Sequence, residues 1–309
     1  MTTKQKNLST RIGNLSLISP LIAASGTFGY AQELEGLVDL KYFGAITTKT
    51  ITVKPRPGNP PPRLVETPCG LLNSIGLDNP GIDAFLDEKL PYLAKLKIPV
   101  IVSIGGESIE EFAQLTKRLD KISSLKAIEI NISCPNIKKV HGQTMFSQDA
   151  KSTFEVVKSV RKLTKKTLIV KLTPNVTDIS EIALASEEAG ADAVSLVNTY
   201  FGLAVDIDKR KPVLANITGG LSGPAIKPLG LFATYKTFCA VKLQIIAGGG
   251  IMNSQDAIEY LLCGASALSL GTVNFVNLNA SKEILSGIKK YLKENNISNI
   301  KNLIGTLKE

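Results

Sequence analysis

The sequence predicts an α/β chain folded as a (β/α)8 TIM barrel, with a small N-terminal β-hairpin and inserted loops at the C-terminal rim. Three observations carry that prediction. Eight short apolar runs recur at even spacing along 309 residues. Stretches with helical spacing of apolar residues separate them. Polar residues gather just beyond the C-terminal ends of the runs, where barrel enzymes keep their sites. A doubly wound open sheet is the alternative, but it does not need eight even units. With no solenoid-period repeat or low-complexity tail, one domain is expected over residues 1–309.

The runs are LIAASG (21–26), FGAITTKT (43–50), IPVIVSIG (98–105), AIEINIS (127–133), TLIVKLT (167–173), DAVSLVN (192–198), QIIAGGG (244–250) and SALSLGT (266–272). Each is nearly continuous in apolar character, as a strand covered on both faces should be. Ser108 with Glu111 reads as a capping box, and Ile109, Phe112 and Leu115 fall on one helical stripe. Asp178 with Glu181 repeats the arrangement, and that helix stops at Gly190. Phe154, Val157 and Val160 form another stripe, and a further helix runs from an Asn253 cap to Gly264. Residues 8–20, LSTRIGNLSLISP, alternate like a hairpin able to close the barrel floor. The connection from Ile51 to Gly81 holds six prolines before Cys69, and its length suits a binding loop or lid.

Composition excludes several classes. Apolar residues make up 44% and charged residues 20%, as in an ordinary globular protein. The polar N-terminus has no apolar core, so no signal peptide is expected, and no run is long enough to span a membrane. Cys69, Cys134, Cys239 and Cys263 are scattered with no CxxC pair, which argues against a disulfide framework, a metal site or an iron–sulfur cluster and suits a reducing cytoplasm. The net charge of +9 raises the question of nucleic acid. The lysines, densest over 158–171 and near the C-terminus, fall on positions expected to be wet helix faces, so no nucleic-acid partner is expected. His141, the single histidine, makes a multi-histidine metal site impossible.

The strand ends supply chemistry. They offer Ser25-Gly26-Thr27, Thr47-Thr48-Lys49, Asn131 with Cys134 and Asn136 just beyond, Lys171, Asn198-Thr199, Gly248-Gly249-Gly250 and Gly271-Thr272. Glycines after the last two strands let backbone N–H groups approach a phosphate, Asn253 opens the next helix, and TGGLSG (218–223) adds a flexible, donor-rich loop. Lys49 and Lys171 bring positive charge to the mouth; Lys171 suits a reduced flavin ring or a substrate carboxylate. Cys239 and Cys263, on helical segments, read as buried structural cysteines, and Cys69 stays undecided. Cys134 sits among amides past a strand end, placed as a nucleophile or a general base. The amides suit a neutral polar substrate with amide-like edges.

The motifs ASGTFGY (24–30), TTKT (47–50), ETPCGLLNSIGLDNPG (66–81), NISCPN (131–136), VKLTPN (170–175), NT (198–199), GGLSGPAIKP (219–228), AGGGI (247–251) and GT (271–272) stand in order along the whole chain. Together they resemble the dihydroorotate dehydrogenases of the soluble class, FMN-containing barrels that oxidise (S)-dihydroorotate to orotate in pyrimidine synthesis. The resemblance implies that Cys134 removes the C5 proton while a hydride passes from C6 to flavin N5. It implies that Lys49, Asn73, Asn131, Asn136, Asn198 and Thr199 hold the substrate. It assigns Ser25, Gly26, Thr48, Lys49, Ser103, Asn131, Lys171, Gly223, Gly249, Gly250, Gly271 and Thr272 to FMN. Two departures stand out: Ser103 occupies a position where the family usually has asparagine, and KKVHGQTMF (138–146) is less glycine-rich than expected.

NSIGLDNPG and TGGLSGPAIKP look more like the NAD-linked form (class 1B) than the fumarate-linked form, which remains the alternative. The NAD-linked form implies a homodimer joined by an FAD and iron–sulfur electron-transfer subunit in a heterotetramer. The membrane-attached class carries a serine base and an N-terminal extension, unlike this chain. A tRNA dihydrouridine synthase, a dihydropyrimidine dehydrogenase-type domain and a non-catalytic binding barrel are weaker readings. The first lacks its RNA-binding domain here, and the last leaves Cys134 and both mouth lysines unexplained.

Overall fold

Nearly continuous apolar runs must bury both faces, and here they do so by pairing in parallel and closing into a ring. The computed structural model describes residues 7–133 and 146–308. The barrel strands are β1 (Leu21–Ala23), β2 (Ala45–Thr47), β3 (Val100–Ile104), β4 (Ala127–Asn131), β5 (Thr167–Lys171), β6 (Ala193–Leu196), β7 (Gln244–Ala247) and β8 (Ala267–Leu270). Each pairs with its sequence neighbours, and β8 returns to β1. The eight predicted runs are therefore the eight strands of the (β/α)8 barrel.

One buried side chain per strand fills the lower barrel: Ile22, Ala45, Ile101, Ala127, Ile169, Ala193, Ile246 and Ala267. Isoleucines come from the odd strands and alanines from the even ones, so large and small residues alternate around the ring. Eight bulky residues would overfill that section, and eight small ones would leave voids. The predicted hairpin, Thr10–Ile12 paired with Leu15–Leu17, inserts Ile12, Leu15 and Leu17 into the same cluster. It is pinned from the side by Thr10 Oγ1 donating to the Ser266 carbonyl at 2.8 Å and Gly13 N–H donating to Gln244 at 2.8 Å. The hairpin is thus the barrel's floor. Ile12→Ala is expected to cost about 2–5 kcal/mol of folding stability, read as a lower urea midpoint with an unchanged slope. A loss below about 0.5 kcal/mol would show that the hairpin only lies against the barrel.

The main helices are α1 (Ile109–Asp120), α2 (Ala150–Arg161), α3 (Ile179–Glu188), α4 (Lys227–Ala240), α5 (Ser254–Leu262) and α6 (Ala280–Glu294). A helical stretch from Gly81 to Leu93, with a π turn at Phe85–Lys89, lies between β2 and β3. After β1 only two short 3-10 turns, Gln32–Leu34 and Leu40–Tyr42, stand where the regular alternation predicts a helix.

Capping differs from expectation in two helices. Ser108 accepts the Glu111 N–H at 3.3 Å, but the Glu111 carboxylate turns to the Glu107 N–H at 2.8 Å, so the box is one-sided. Asp178 accepts from Ser180 N–H at 2.9 Å rather than pairing with Glu181, and Lys236 of α4 sits 2.7 Å away. Those contacts hold the Asp178 carboxyl down at about 2. Among the described residues, only Asn253 and Asp256 form the reciprocal box. Cys263 is buried as expected, but Cys239 is exposed on α4.

The predicted lid is a built sheet. Leu64–Thr67 and Gly70–Asn73 form a hairpin that pairs with Thr218–Ser222, which in turn pairs with Tyr200–Leu203. TGGLSG, expected to be a flexible loop, is therefore mostly strand. Its glycines serve close packing: a Cβ on Gly219 would lie 2.8 Å from the Asn73 carbonyl oxygen, and one on Gly220 would collide with Thr199.

Candidate functional site

The four-stranded sheet and the C-terminal ends of the barrel strands enclose a cleft of about 280 Å³. Among the predicted site residues, Ser25, Gly26, Lys49, Asn73, Asn131, Lys171, Asn198, Thr199, Gly223, Gly249, Gly250, Gly271 and Thr272 all line it. Thr48 and Ser103 do not. Both are buried beneath it, where Thr48 Oγ1 accepts the Ser103 N–H at 3.1 Å. Cys134 and Asn136 lie outside the described residues.

Two kinds of surface meet in the cleft. One is a glycine-rich cradle from the segments that precede α4 and α5. Among the described residues, the N–H groups of Gly249, Gly250 and Ile251 make no hydrogen bond. Gly250 has φ of 76° and Gly223 has φ of 95°, conformations that favour glycine. A Cβ on Gly250 would sit 2.8 Å from the Gly223 carbonyl oxygen, so the two turns touch through backbone alone. The phenol of Tyr260, fully buried, donates to the Gly249 carbonyl at 2.7 Å and fixes that turn from behind. Burial pushes the Tyr260 phenol well above its ordinary value, so it remains a donor. Expectation and structure differ at α5, where the Asp256 carboxylate already accepts from the N–H groups of Met252 and Asn253. An anion would therefore meet the glycine turn ahead of the helix start.

The other surface is an amide cluster at the ends of β4 and β6. Asn131 Nδ2 donates to Thr50 Oγ1 at 3.0 Å, while Asn131 Oδ1 accepts from the N–H and hydroxyl of Ser133. Asn198 Nδ2 donates to the carbonyl and hydroxyl oxygens of Ser133, both at 3.0 Å, and its Oδ1 accepts the Thr199 N–H at 2.9 Å. The two cations differ in setting. Lys49 lies 3.7 Å from Asp78, which also pairs with Arg63. Lys171, half-buried at the end of β5, makes no ion pair among the described residues. Tyr200, beside the cleft residue Thr199, is pushed up to about 12 by burial and stays neutral.

Sequence reasoning passed over several participants. Thr50 lines the cleft and joins Ser25, Ser103 and Asn131. Its signal was available, since it is the second residue after Thr48 in TTKT, but a lone hydroxyl carries no charge to mark it. Glu129 and Tyr260 were hidden because neither touches the cleft directly.

Comparison with known proteins gives a consistent answer. A family model described as dihydroorotate dehydrogenase matches residues 7–292. The dihydroorotate dehydrogenase B (NAD(+)) catalytic subunit of Desulforamulus reducens is 54% identical over 299 residues, covering 97% of this chain and 98% of that protein. The protein of the same name from Thermoanaerobacter sp. is 51% identical over 302 residues, covering 98% and 99%. A crystal structure of DHODH from Eimeria tenella in complex with ferulenol superposes with a TM-score of 0.82 at 22% identity, covering 99% of this chain and 90% of that one, and supports the fold. A barrel with a glycine cradle facing an amide cluster, and half its residues shared with these relatives over nearly full length, belongs to the dihydroorotate dehydrogenase family of flavin-dependent oxidoreductases.

Proposed function

We propose that this chain oxidises (S)-dihydroorotate to orotate with FMN as its cofactor, as the catalytic subunit of an NAD-linked enzyme. The observation that carries the reading is the pairing, in one cleft, of glycine N–H groups that make no hydrogen bond among the described residues with a fixed amide cluster and two lysines. Dihydroorotate is a cyclic diamide bearing a carboxylate, so it needs donors and acceptors around a ring and a cation at one edge. Asn73, Asn131, Asn136, Asn198 and Thr199 answer the ring, and Lys49 the carboxylate.

The cradle fits FMN. Gly249 and Gly250, with Gly223, Gly271 and Thr272 beside them, offer backbone donors and close approach for its phosphate and ribityl chain. Ser25 and Gly26 line the same cleft and would border the flavin ring, and Lys171 would supply positive charge to a ring that becomes anionic on reduction. Thr48 and Ser103 act from below, through the residues they hold. Bound FMN supplies the two-electron acceptor for the hydride that leaves C6.

Cys134 follows Ser133 directly in the sequence and takes the C5 proton, leaving the ring electrons to form the C5–C6 double bond. The relatives' description as NAD(+)-linked catalytic subunits supports a separate electron-transfer subunit. The scattered cysteines of this chain leave an FAD and iron–sulfur relay to that subunit, with a homodimer of this chain at the centre of a heterotetramer. No helix among the described residues is long and apolar enough to cross a membrane. The cytoplasm is the proposed location.

The test is spectroscopic. The purified protein should be yellow, and its flavin absorbance should bleach anaerobically when dihydroorotate is added. NAD should reoxidise it only with the partner subunit present, and fumarate should not. A colourless protein, or a flavin indifferent to dihydroorotate, would remove the reading.

A further inference from the structure

The hydrogen bonds around the amide cluster run in one direction, and they end on a buried carboxyl outside the cleft. Glu129, in β4, is 3% exposed and lies opposite Ser103 of β3. No lysine or arginine among the described residues pairs with it. Its contact is the Ser103 hydroxyl, which donates to Oε1 at 3.0 Å. Ser103 Oγ also meets Thr50 Oγ1 at 2.9 Å, and Thr50 meets Asn131 Nδ2 at 3.0 Å.

The polarity of this chain follows from groups that have no choice. The Ser133 and Thr199 backbone N–H groups can only donate, so the atoms they reach on Asn131 and Asn198 are the amide oxygens. Both amide nitrogens must then donate: Asn198 to Ser133, and Asn131 to Thr50. Ser133, accepting from Asn198, gives its own proton to Asn131. Thr50, accepting from Asn131, is free to give its proton to Ser103. Ser25 Oγ, 3.4 Å from Thr50, can donate into its remaining lone pair. Ser103, accepting from Thr50, has one place left for its proton, and Glu129 is that place. Glu129 Oε1 accepts that proton and so ends the sequence.

We propose that Glu129 is a positioning residue for the reaction: it is the terminal acceptor that holds Ser103, Thr50, Asn131, Ser133 and Asn198 in a single hydrogen-bond direction. This rests on the reading of Asn131 and Asn198 as substrate amides. Without that acceptor, the Ser103 proton turns back onto Thr50. Thr50 then turns its own proton to Ser25, at 3.4 Å, or to Asn131: the first reverses the Ser25 hydroxyl, and the second makes Asn131 flip its amide and lose the Ser133 N–H or keeps two donors facing each other. Each result blurs the donor–acceptor pattern shown to a cyclic diamide.

The experiment measures orotate affinity by calorimetry on the FMN-loaded protein, with FMN content and thermal midpoint recorded for every variant. Glu129→Met has similar length and no acceptor; it should bind orotate about tenfold more weakly with FMN content unchanged. Glu129→Gln keeps an acceptor oxygen and should stay within about threefold of wild type. Ser103→Ala should match Glu129→Met, and the double variant should be no worse than about tenfold, because both cuts break one chain.

Orotate affinity within about twofold of wild type in both single variants, whatever the thermal midpoint, would overturn the proposal. So would a double variant showing the product of the two losses. If Glu129→Met does not fold, Ser103→Ala alone decides by the same criterion. Failure of the wild type to bind orotate would strike the functional reading, whereas normal wild-type binding with unaffected variants strikes only the role of Glu129.

Discussion

Cys134→Ala is expected to retain FMN and to slow flavin reduction by dihydroorotate by about 10²- to 10⁴-fold, the usual contribution of a positioned general base. The reasoning is chemical. The C5 proton of dihydroorotate must leave to a group that is unprotonated at working pH, and a thiolate meets that need where a thiol does not. Wild-type reduction should therefore accelerate as pH rises through the thiol ionisation, near 8.5 for an unperturbed cysteine. The sign is set by the reactive form: thiolate is the base, so the rate is low below the pKa and levels off above it. The alanine variant should show a flat profile over the same range. Stopped-flow measurement of flavin bleaching checks both points. An unchanged rate in the variant, or a wild-type rate that falls with pH, would take Cys134 out of the chemistry. FMN content serves as the control, because the cradle lies on other strands.

Gly250→Val should yield a folded but colourless protein, with FMN affinity reduced by about a hundredfold or more. The Cβ at this position would lie 2.8 Å from the Gly223 carbonyl oxygen and 2.9 Å from the Lys227 nitrogen, both backbone atoms that cannot swing aside. At φ of 76° the substitution also carries a left-handed backbone cost of about 1–2 kcal/mol. The turn must move, and its N–H groups move with it. Gly36→Ala separates the two effects. Gly36 has φ of 77°, but nothing lies within 4 Å of the added Cβ. That variant should pay the backbone cost alone and stay yellow. Visible absorbance after gel filtration, with circular dichroism to confirm folding, reads the result. A yellow Gly250→Val would mean the cradle does not hold the phosphate.

Much of the fold could be read directly from the residues. Runs such as TLIVKLT and IPVIVSIG are nearly continuous in apolar character, so a sheet covered on both faces satisfies them, and eight such runs close a ring. Lys171 was conspicuous because a charge at the end of an apolar strand has few bland explanations. The cleft-lining glycines at 249, 250 and 271 stood out because they follow the last two barrel strands. What misled were local readings taken without their neighbours. TGGLSG looked like a flexible loop, yet Gly219 and Gly220 are small because Asn73 and Thr199 press against them. Glu111 looked like half of a capping box, but the Glu107 N–H competes for its carboxylate. Cys239 looked buried, but the side of α4 that carries it faces solvent.

By itself the sequence determined the number and type of barrel strands, the rim at which polar groups collect, and the family motifs that name a reaction. These are properties of short segments and of their order. Only the tertiary structure decided which side chains share a hydrogen bond across strands. It shows that Ile and Ala alternate around the lower barrel, that Asp256 already occupies N–H groups ahead of α5, and that Thr48 and Ser103 lie under the cleft. It also joins Glu129 to Asn198 through four intervening residues drawn from separate parts of the chain. Hydrogen-bond direction depends on distances between atoms far apart in sequence, so no local pattern records it. Closing the barrel sets those distances.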